Sequence, residues 1–107
     1  MIEKKVENGV MKVKASYKVC NYNVYKLIEL YKNEIQIYCD YYNNNVGNFI
    51  GFSIPIHNFL EYSNVKHDLE KIENIVDFEL IFLELIKKHI FNLEYELSMS
   101  IKKNSLK

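Results

Sequence analysis

Residues of the types used in metal binding or catalysis are few and scattered in this chain. Two cysteines and two histidines have the composition of a zinc site, but their spacing matches no zinc module. These four residues are Cys20, Cys39, His57 and His67. Gly9, Gly47 and Gly51 form no phosphate loop, and no nucleophile-elbow signature is present. We therefore expect no catalytic residue, no metal site and no cofactor, and we interpret the chain as non-enzymatic.

One carboxylate, Glu79, has an unusual position in the sequence. It falls near the middle of an apolar arc when the surrounding residues are placed on a helical wheel. A buried carboxylate is costly unless it is paired or protonated. Two interpretations follow: Glu79 is hydrogen-bonded to a Tyr or His and functional, or a break near Asp77 rotates it towards solvent.

The element that would carry Glu79 is a long C-terminal helix. Residues from Lys66 to Lys103 include neither Pro nor Gly, and their apolar positions step by three or four. We predict a helix over residues 65–104 with an N-cap at Ser63 or Asn64. Residues 91–103 also alternate in polarity, so a helix over 65–90 followed by a strand over 91–103 is the alternative.

This helix has more apolar surface than one face of a sheet needs. Its main apolar arc, which we expect to face the sheet, consists of Leu69, Ile72, Ile75, Val76, Leu83 and Ile86. Four residues spread beyond this arc: Phe78, Ile81, Phe82 and Leu85. Because monomers rarely expose such a patch, these residues predict an interface with a partner protein or with a second copy in a homodimer. The alternative is that the flank is covered by residues 55–62 or by the C-terminal segment.

The N-terminal part, residues 1–64, reads as β-rich. Alternating polarity predicts strands over residues 10–19, 24–31, 34–42 and 49–54. Lys26 falls on the apolar face of the second strand, which indicates a bulge or a sheet edge. Asn8-Gly9 is a hairpin signal that either folds Ile2–Glu7 back on the residues that follow or ends a mobile arm. The predicted fold is a single α+β domain over residues 1–107, an antiparallel β-meander of four to five strands packed against a long C-terminal α-helix.

The outer face of this sheet would combine lysines with aromatic rings. Its expected members are Lys12, Lys14, Lys18, Tyr25, Tyr31, Tyr38, Tyr42 and Phe49. Rings that stack on bases, beside cations that follow the backbone, are typical of proteins that bind single-stranded nucleic acid. The chain has no Arg and a formal net charge of zero, which disfavours this function. An ordinary Tyr-rich strand surface is the other interpretation.

The composition of the chain indicates its location and the kind of genome that encodes it. The N-terminus shows no signal peptide and no apolar run is long enough to span a membrane, so we expect a cytoplasmic protein without membrane contact. Abundant Lys, Asn and Ile indicate a low-GC genome. The preferred hypothesis is a small protein of inhibitor, immunity or regulatory type, encoded by a phage or mobile element, that docks on a protein partner. Binding of single-stranded nucleic acid is the alternative.

Overall fold

The sheet is a meander in which each strand pairs with the next one along the chain. The computed structural model describes residues 1–44 and 46–105, with side chains up to residue 103. Its five antiparallel strands follow the order β1-β2-β3-β4-β5 and precede two helices, which confirms the predicted α+β class. The strands are β1 (Ile2–Glu7), β2 (Val10–Val19), β3 (Tyr22–Leu30), β4 (Glu34–Asn43) and β5 (Val46–Pro55).

The first hairpin follows from the residues at its turn. Asn8 and Gly9 have φ angles of 53° and 77°, the left-handed conformation that a two-residue type I′ turn requires. This turn brings Ile2 opposite Ala15 and Glu7 opposite Val10. The Asn8-Gly9 signal therefore adds β1 to the sheet instead of ending a mobile arm.

The C-terminal region forms two helices, α1 (Phe59–Glu70) and α2 (Ile75–Ser105), so the prediction of one helix beginning at residue 65 is wrong. The Asn74 side chain accepts a hydrogen bond from the Asp77 N–H at 2.9 Å, and Asp77 accepts one from the Glu73 N–H at 3.1 Å. These bonds satisfy N–H groups that a helix start leaves unpaired, so a new helix begins here without Pro or Gly.

The start of the first helix was also predicted at the wrong place. Asn58 caps α1 by accepting from the Glu61 N–H at 2.8 Å, and Glu61 accepts from the His57 N–H at 3.1 Å. The predicted N-cap at Ser63 or Asn64 lies inside α1. Residues 91–103 are helical, which confirms the preferred interpretation over a fifth strand at this position.

The hydrophobic core lies between the inner face of the sheet and the two helices. The buried strand residues come mainly from the central strands, and β3 is the middle strand of five. The prediction that Lys26 marks a bulge or a sheet edge is therefore wrong. The largest buried side chains of the core are Ile28, Leu30, Ile35, Ile37, Ile54, Leu69, Ile72 and Phe78.

The two edges of the sheet differ in charge. Four of the six residues of β1 are charged, namely Glu3, Lys4, Lys5 and Glu7. None of the ten residues of β5 is charged, and most of them are exposed.

Helix α2 crosses the sheet diagonally and extends past β5. Glu79 contacts Tyr17 of β2 and Lys26 of β3, whereas the His89 ring stacks on Phe52 of β5 with centroids 4.2 Å apart. Beyond His89, the described side chains are exposed except for Asn92, which is partly buried. Over the described part of the chain, no helix has a segment long and apolar enough to cross a membrane.

Candidate functional site

The four residues predicted as an interface lie against the body of the chain. Phe78, Phe82 and Leu85 are buried in the core and Ile81 is partly buried. The Phe78 and Phe82 rings stack with centroids 5.7 Å apart. The prediction that this flank is exposed is wrong, because the sheet and α1 together cover this side of α2. A partner would have to recognise a different part of the helix.

Seven of the ten large apolar side chains that are exposed on the described part of α2 form a stripe along its length, and Phe91, Tyr95 and Met99 lie outside it. Its seven members, here called the α2 stripe, are Val76, Leu80, Leu83, Ile90, Leu93, Leu97 and Ile101. They are between 48% and 67% exposed. On a helical wheel they occupy an arc of about 140° that begins on the core-facing side, where Leu93 and Leu97 extend past the sheet, and continues around the exposed side of the helix. Sequence reasoning assigned Val76 and Leu83 to the sheet-facing arc, which the structure contradicts. The seven-residue spacing of Val76, Leu83, Ile90 and Leu97 was the signal that could have identified the stripe.

A groove of about 600 Å³ runs between α1 and α2. Its apolar lining includes Val65, Ile81, Leu85 and the exposed Phe91 ring. Ile81 and Leu85, two of the four predicted interface residues, therefore have limited contact with solvent through this groove.

An ion pair at this groove joins the two helices. Lys88 of α2 donates to a Glu61 carboxylate oxygen in α1. This hydrogen bond holds the pKa of Glu61 below its ordinary value, since it favours the charged form more than burial opposes it.

Glu79 and Lys26, the two residues with unexpected positions in the sequence, bind each other. The Lys26 ammonium donates to both carboxylate oxygens of Glu79, at 3.0 and 2.8 Å, and the Tyr17 hydroxyl donates to Oε1 at 2.6 Å. The Lys26 side chain is 7% exposed and that of Glu79 is 36% exposed. The predicted hydrogen bond of Glu79 to a Tyr is confirmed, whereas a functional role for this carboxylate stays a prediction. The helix does break before Asp77, but Glu79 still contacts the sheet, so its rotation towards solvent is wrong.

Aromatic rings and hydrogen bonds favour the charged form of Lys26. Its ammonium lies 4.7 Å from the centre of the Phe82 ring and 5.6 Å from that of Tyr17. Burial acts to lower the pKa of Lys26, but the hydrogen bonds with Glu79 and Tyr17 outweigh it and the pKa is raised. Burial and the bond to Glu79 also raise the pKa of Tyr17. Both groups stay protonated near neutral pH, and their hydrogen bonds to Glu79 join α2 to the sheet.

The predicted nucleic-acid residues do share one face of the sheet. The strand register places seven of them on the outer side, and Tyr31 follows β3 in the next turn. Acidic residues lie among them: Lys12 pairs with Glu29 at 3.4 Å, and Glu3 lies opposite Lys14. Tyr38 and Phe49 are neighbours, with ring centroids 5.9 Å apart. The face therefore combines rings and lysines at a nearly balanced charge.

The cysteines and histidines of the sequence lie apart from one another. Cys20 is exposed in the turn after β2, whereas Cys39 is buried in β4, where burial raises the pKa of its thiol. His57 precedes α1 and His67 lies in its last turn. Within residues 1–44 and 46–105, no three His, Cys, Asp or Glu side chains form a cluster that could hold a metal ion.

The chain was compared with protein-family models, with curated proteins and with solved structures, and none of the three comparisons found a match.

Proposed function

We propose that this chain is a non-enzymatic protein-binding protein that docks through the α2 stripe and also self-associates. The observation that carries the proposal is the continuation of the stripe along a 31-residue helix whose final part extends past the sheet. A helical segment without tertiary packing is only marginally stable in water. Large exposed apolar surfaces on a protein mark interaction sites. Packing against another protein would stabilise both the helix and its stripe.

The remaining expectations accompany this proposal. An inhibitor, immunity or regulatory role fits a small chain that recognises a protein and performs no chemistry. A cytoplasmic location and an origin in a low-GC genome, a phage or a mobile element stay predictions from the sequence.

Leu97→Glu tests the docking surface, with Tyr95→Glu as its matched control. Both side chains are 62% exposed, but Leu97 lies in the stripe and Tyr95 on a different side of the helix. Glu is a good helix former, so both variants should stay folded. We expect Leu97→Glu to weaken association by about 1.5–3 kcal/mol for each leucine side chain no longer buried, and Tyr95→Glu to change little.

The measurement is sedimentation velocity over a range of concentrations, together with capture of partner proteins on the immobilised chain. Circular dichroism establishes that each variant is folded. Folded Leu97→Glu protein with unchanged self-association and unchanged partner capture would contradict the proposal.

Single-stranded nucleic acid binding is the second candidate, favoured by the shared outer face of the lysines and rings. We expect Tyr38→Ala to weaken binding of a labelled oligonucleotide by about 1–3 kcal/mol and Lys14→Ala to reduce its salt dependence. Tyr22→Ala is the control, because Tyr22 is half exposed on the opposite face. Fluorescence anisotropy at low and moderate salt measures both effects. Absence of binding by the unmodified chain at low salt would exclude this function.

A further inference from the structure

We propose that the chain forms a symmetric dimer in which two β5 strands pair antiparallel and two α2 helices pack antiparallel through their stripes. The result is a continuous ten-stranded sheet with both long helices on one side. This inference rests on the proposed function, since it names a second copy of the chain as the occupant of the α2 stripe.

The first observation is the open edge at β5. Within the described residues, β5 pairs with β4 and no other strand lies along its outer side. Natural sheets protect such edges with charges, and β1 does so, whereas β5 has no charged residue in ten. An uncharged edge of this length is a template for another strand.

The second observation is that α2 crosses this same edge. It passes over β5 at Phe52, where His89 stacks, and continues outward. A two-fold axis perpendicular to the sheet makes the two β5 strands antiparallel and at the same time makes the two helices antiparallel on one side of the sheet. One symmetry operation therefore serves both elements.

The dimensions of strand and helix agree with such an axis. The two-fold axis keeps the inward-facing residues of both β5 strands on the same side of the sheet, so the axis must pass beside a residue and not between two residues. If nearly the whole of β5 pairs, that central residue is Ile50 or Gly51. Packed helices lie about 8–10 Å apart, which puts each of them about 4–5 Å from the axis. At about 3.3 Å per residue, Phe52 lies about one or two residues from that centre, which is the distance required.

The stripe faces the side on which the axis would lie. Leu83, Ile90 and Leu97 lie within about 40° of Glu79 on a helical wheel. Glu79 binds Lys26, and Lys26, Cys39 and Ile50 occupy one cross-strand row. The stripe is thus directed towards the Ile50 end of β5, while the opposite side of α2 contacts α1.

The charges beside the stripe complement those of a second, antiparallel copy. With the helices centred between residues 91 and 92, Lys87 lies within one helical turn of Glu94 of the second copy. The acidic first turn with Asp77 lies near the basic last turn of the other helix. Opposite charges flanking an apolar seam set partner choice and orientation, so this pattern favours a second copy in the antiparallel direction.

Charge exchange at Ile50 tests the pairing of the edges. Ile50 is 56% exposed on the inner face of β5, and Val19 is 50% exposed on the same face of β2. In the dimer, Ile50 lies opposite Ile50 or Phe52 of the second copy. We expect Ile50→Lys and Ile50→Glu each to raise the dimer dissociation constant by about 100-fold, because like charges then face each other across the axis. An equimolar mixture of the two variants should associate again, and the control Val19→Lys should dimerise like the unmodified chain.

Sedimentation velocity gives the association state, and circular dichroism establishes that each variant is folded. As a second measurement, Ile50→Cys or Gly51→Cys in a Cys20→Ser background should form an intermolecular disulfide, since residues on the axis lie within disulfide distance. Loss of association by both charge variants, restored in their mixture, supports the dimer. Loss without restoration in the mixture overturns it.

Two other outcomes separate this inference from the proposed function. If Ile50→Lys dimerises like the unmodified chain while Leu97→Glu does not, the edge pairing is overturned and docking through the stripe stands. If the unmodified chain is monomeric at every concentration, the dimer is overturned. That result would also remove self-association from the proposed function, and capture of a different protein that depends on Leu97 would leave docking through the α2 stripe in place.

Discussion

The pair between Lys26 and Glu79 gives the sharpest prediction for the folded state. Three variants are needed: Glu79→Leu, Lys26→Met and the double substitution. Removing one partner of a fully buried pair costs about 3–5 kcal/mol, because the other charge stays buried alone. Water reaches the pair from the Glu79 side, which is 36% exposed, so we expect Glu79→Leu to cost about 2–3 kcal/mol.

The two single substitutions should differ in cost. After Lys26→Met, Glu79 can turn to solvent and keep its hydrogen bond from Tyr17, so we expect a loss of about 1 kcal/mol. After Glu79→Leu, the Lys26 ammonium stays beneath α2, with aromatic rings around it and the Tyr17 hydroxyl as its remaining hydrogen-bond partner. The double variant replaces both groups by apolar ones of similar size and should lie within about 1 kcal/mol of the unmodified chain. With a double variant near the unmodified chain, the pair has a coupling energy of about 3–4 kcal/mol.

Glu79→Leu should reverse the direction in which stability changes with pH near the pKa of Lys26. In the unmodified chain, the pKa of Lys26 is raised above its ordinary 10.5 and that of Tyr17 above 10.0. Their contribution to stability is therefore complete below these ordinary values and is lost as the pH rises through the higher folded values. In Glu79→Leu, only the interaction with Tyr17 opposes the effect of burial, so we expect the pKa of Lys26 to fall below its ordinary value and the stability of that variant to increase as the pH rises towards 10.5.

Urea unfolding followed by circular dichroism, at one protein concentration and several pH values, measures these differences. The total free energy of unfolding of such a domain is about 5–15 kcal/mol, so a change of 2–3 kcal/mol is readily resolved. A Glu79→Leu variant within about 0.5 kcal/mol of the unmodified chain would refute the reasoning. So would a double variant that is no more stable than Glu79→Leu alone.

Two further predictions concern α1. Asn58→Ala should destabilise the fold by about 1 kcal/mol in urea unfolding, because the Glu61 N–H loses its acceptor, while Asn64→Ala inside the helix should change little. The pKa of Glu61 is lowered from its ordinary 4.5 by the hydrogen bond from Lys88, so its contribution is present above that value and is lost as the pH falls through the lower folded one. Glu61→Gln should therefore reduce the loss of stability on acidification, and an unchanged acid transition would contradict this.

The strands could be predicted from the sequence because their signals are local. Residues 10–19 alternate strictly, and the boundaries predicted there agree with β2. The Asn8-Gly9 turn similarly specifies its own hairpin. The break between the helices has a local signal too, since Asn58 with Glu61 and Asn74 with Asp77 are both capping pairs three residues apart. The apolar periodicity of the whole region concealed those caps.

The rotation of α2 could not be predicted from periodicity. Apolar residues occupy two sides of this helix, and a wheel cannot show which side packs on the sheet. The contact between Glu79 and Lys26, 53 residues apart in the chain, determines the answer. Each residue was unusual by itself, but only the strand register and the crossing of α2 bring them together. The candidate interface therefore includes Leu83 and Leu97 in place of the predicted Phe78 and Phe82.

The unequal edges of the sheet have a consequence for the size of any assembly. Proteins that can add a strand at both edges grow without limit into fibres, whereas those with a single open edge stop at two copies. The charges of β1 oppose addition of a strand there, and β5 carries none. In the proposed dimer, association through the sheet would therefore stop at a closed pair.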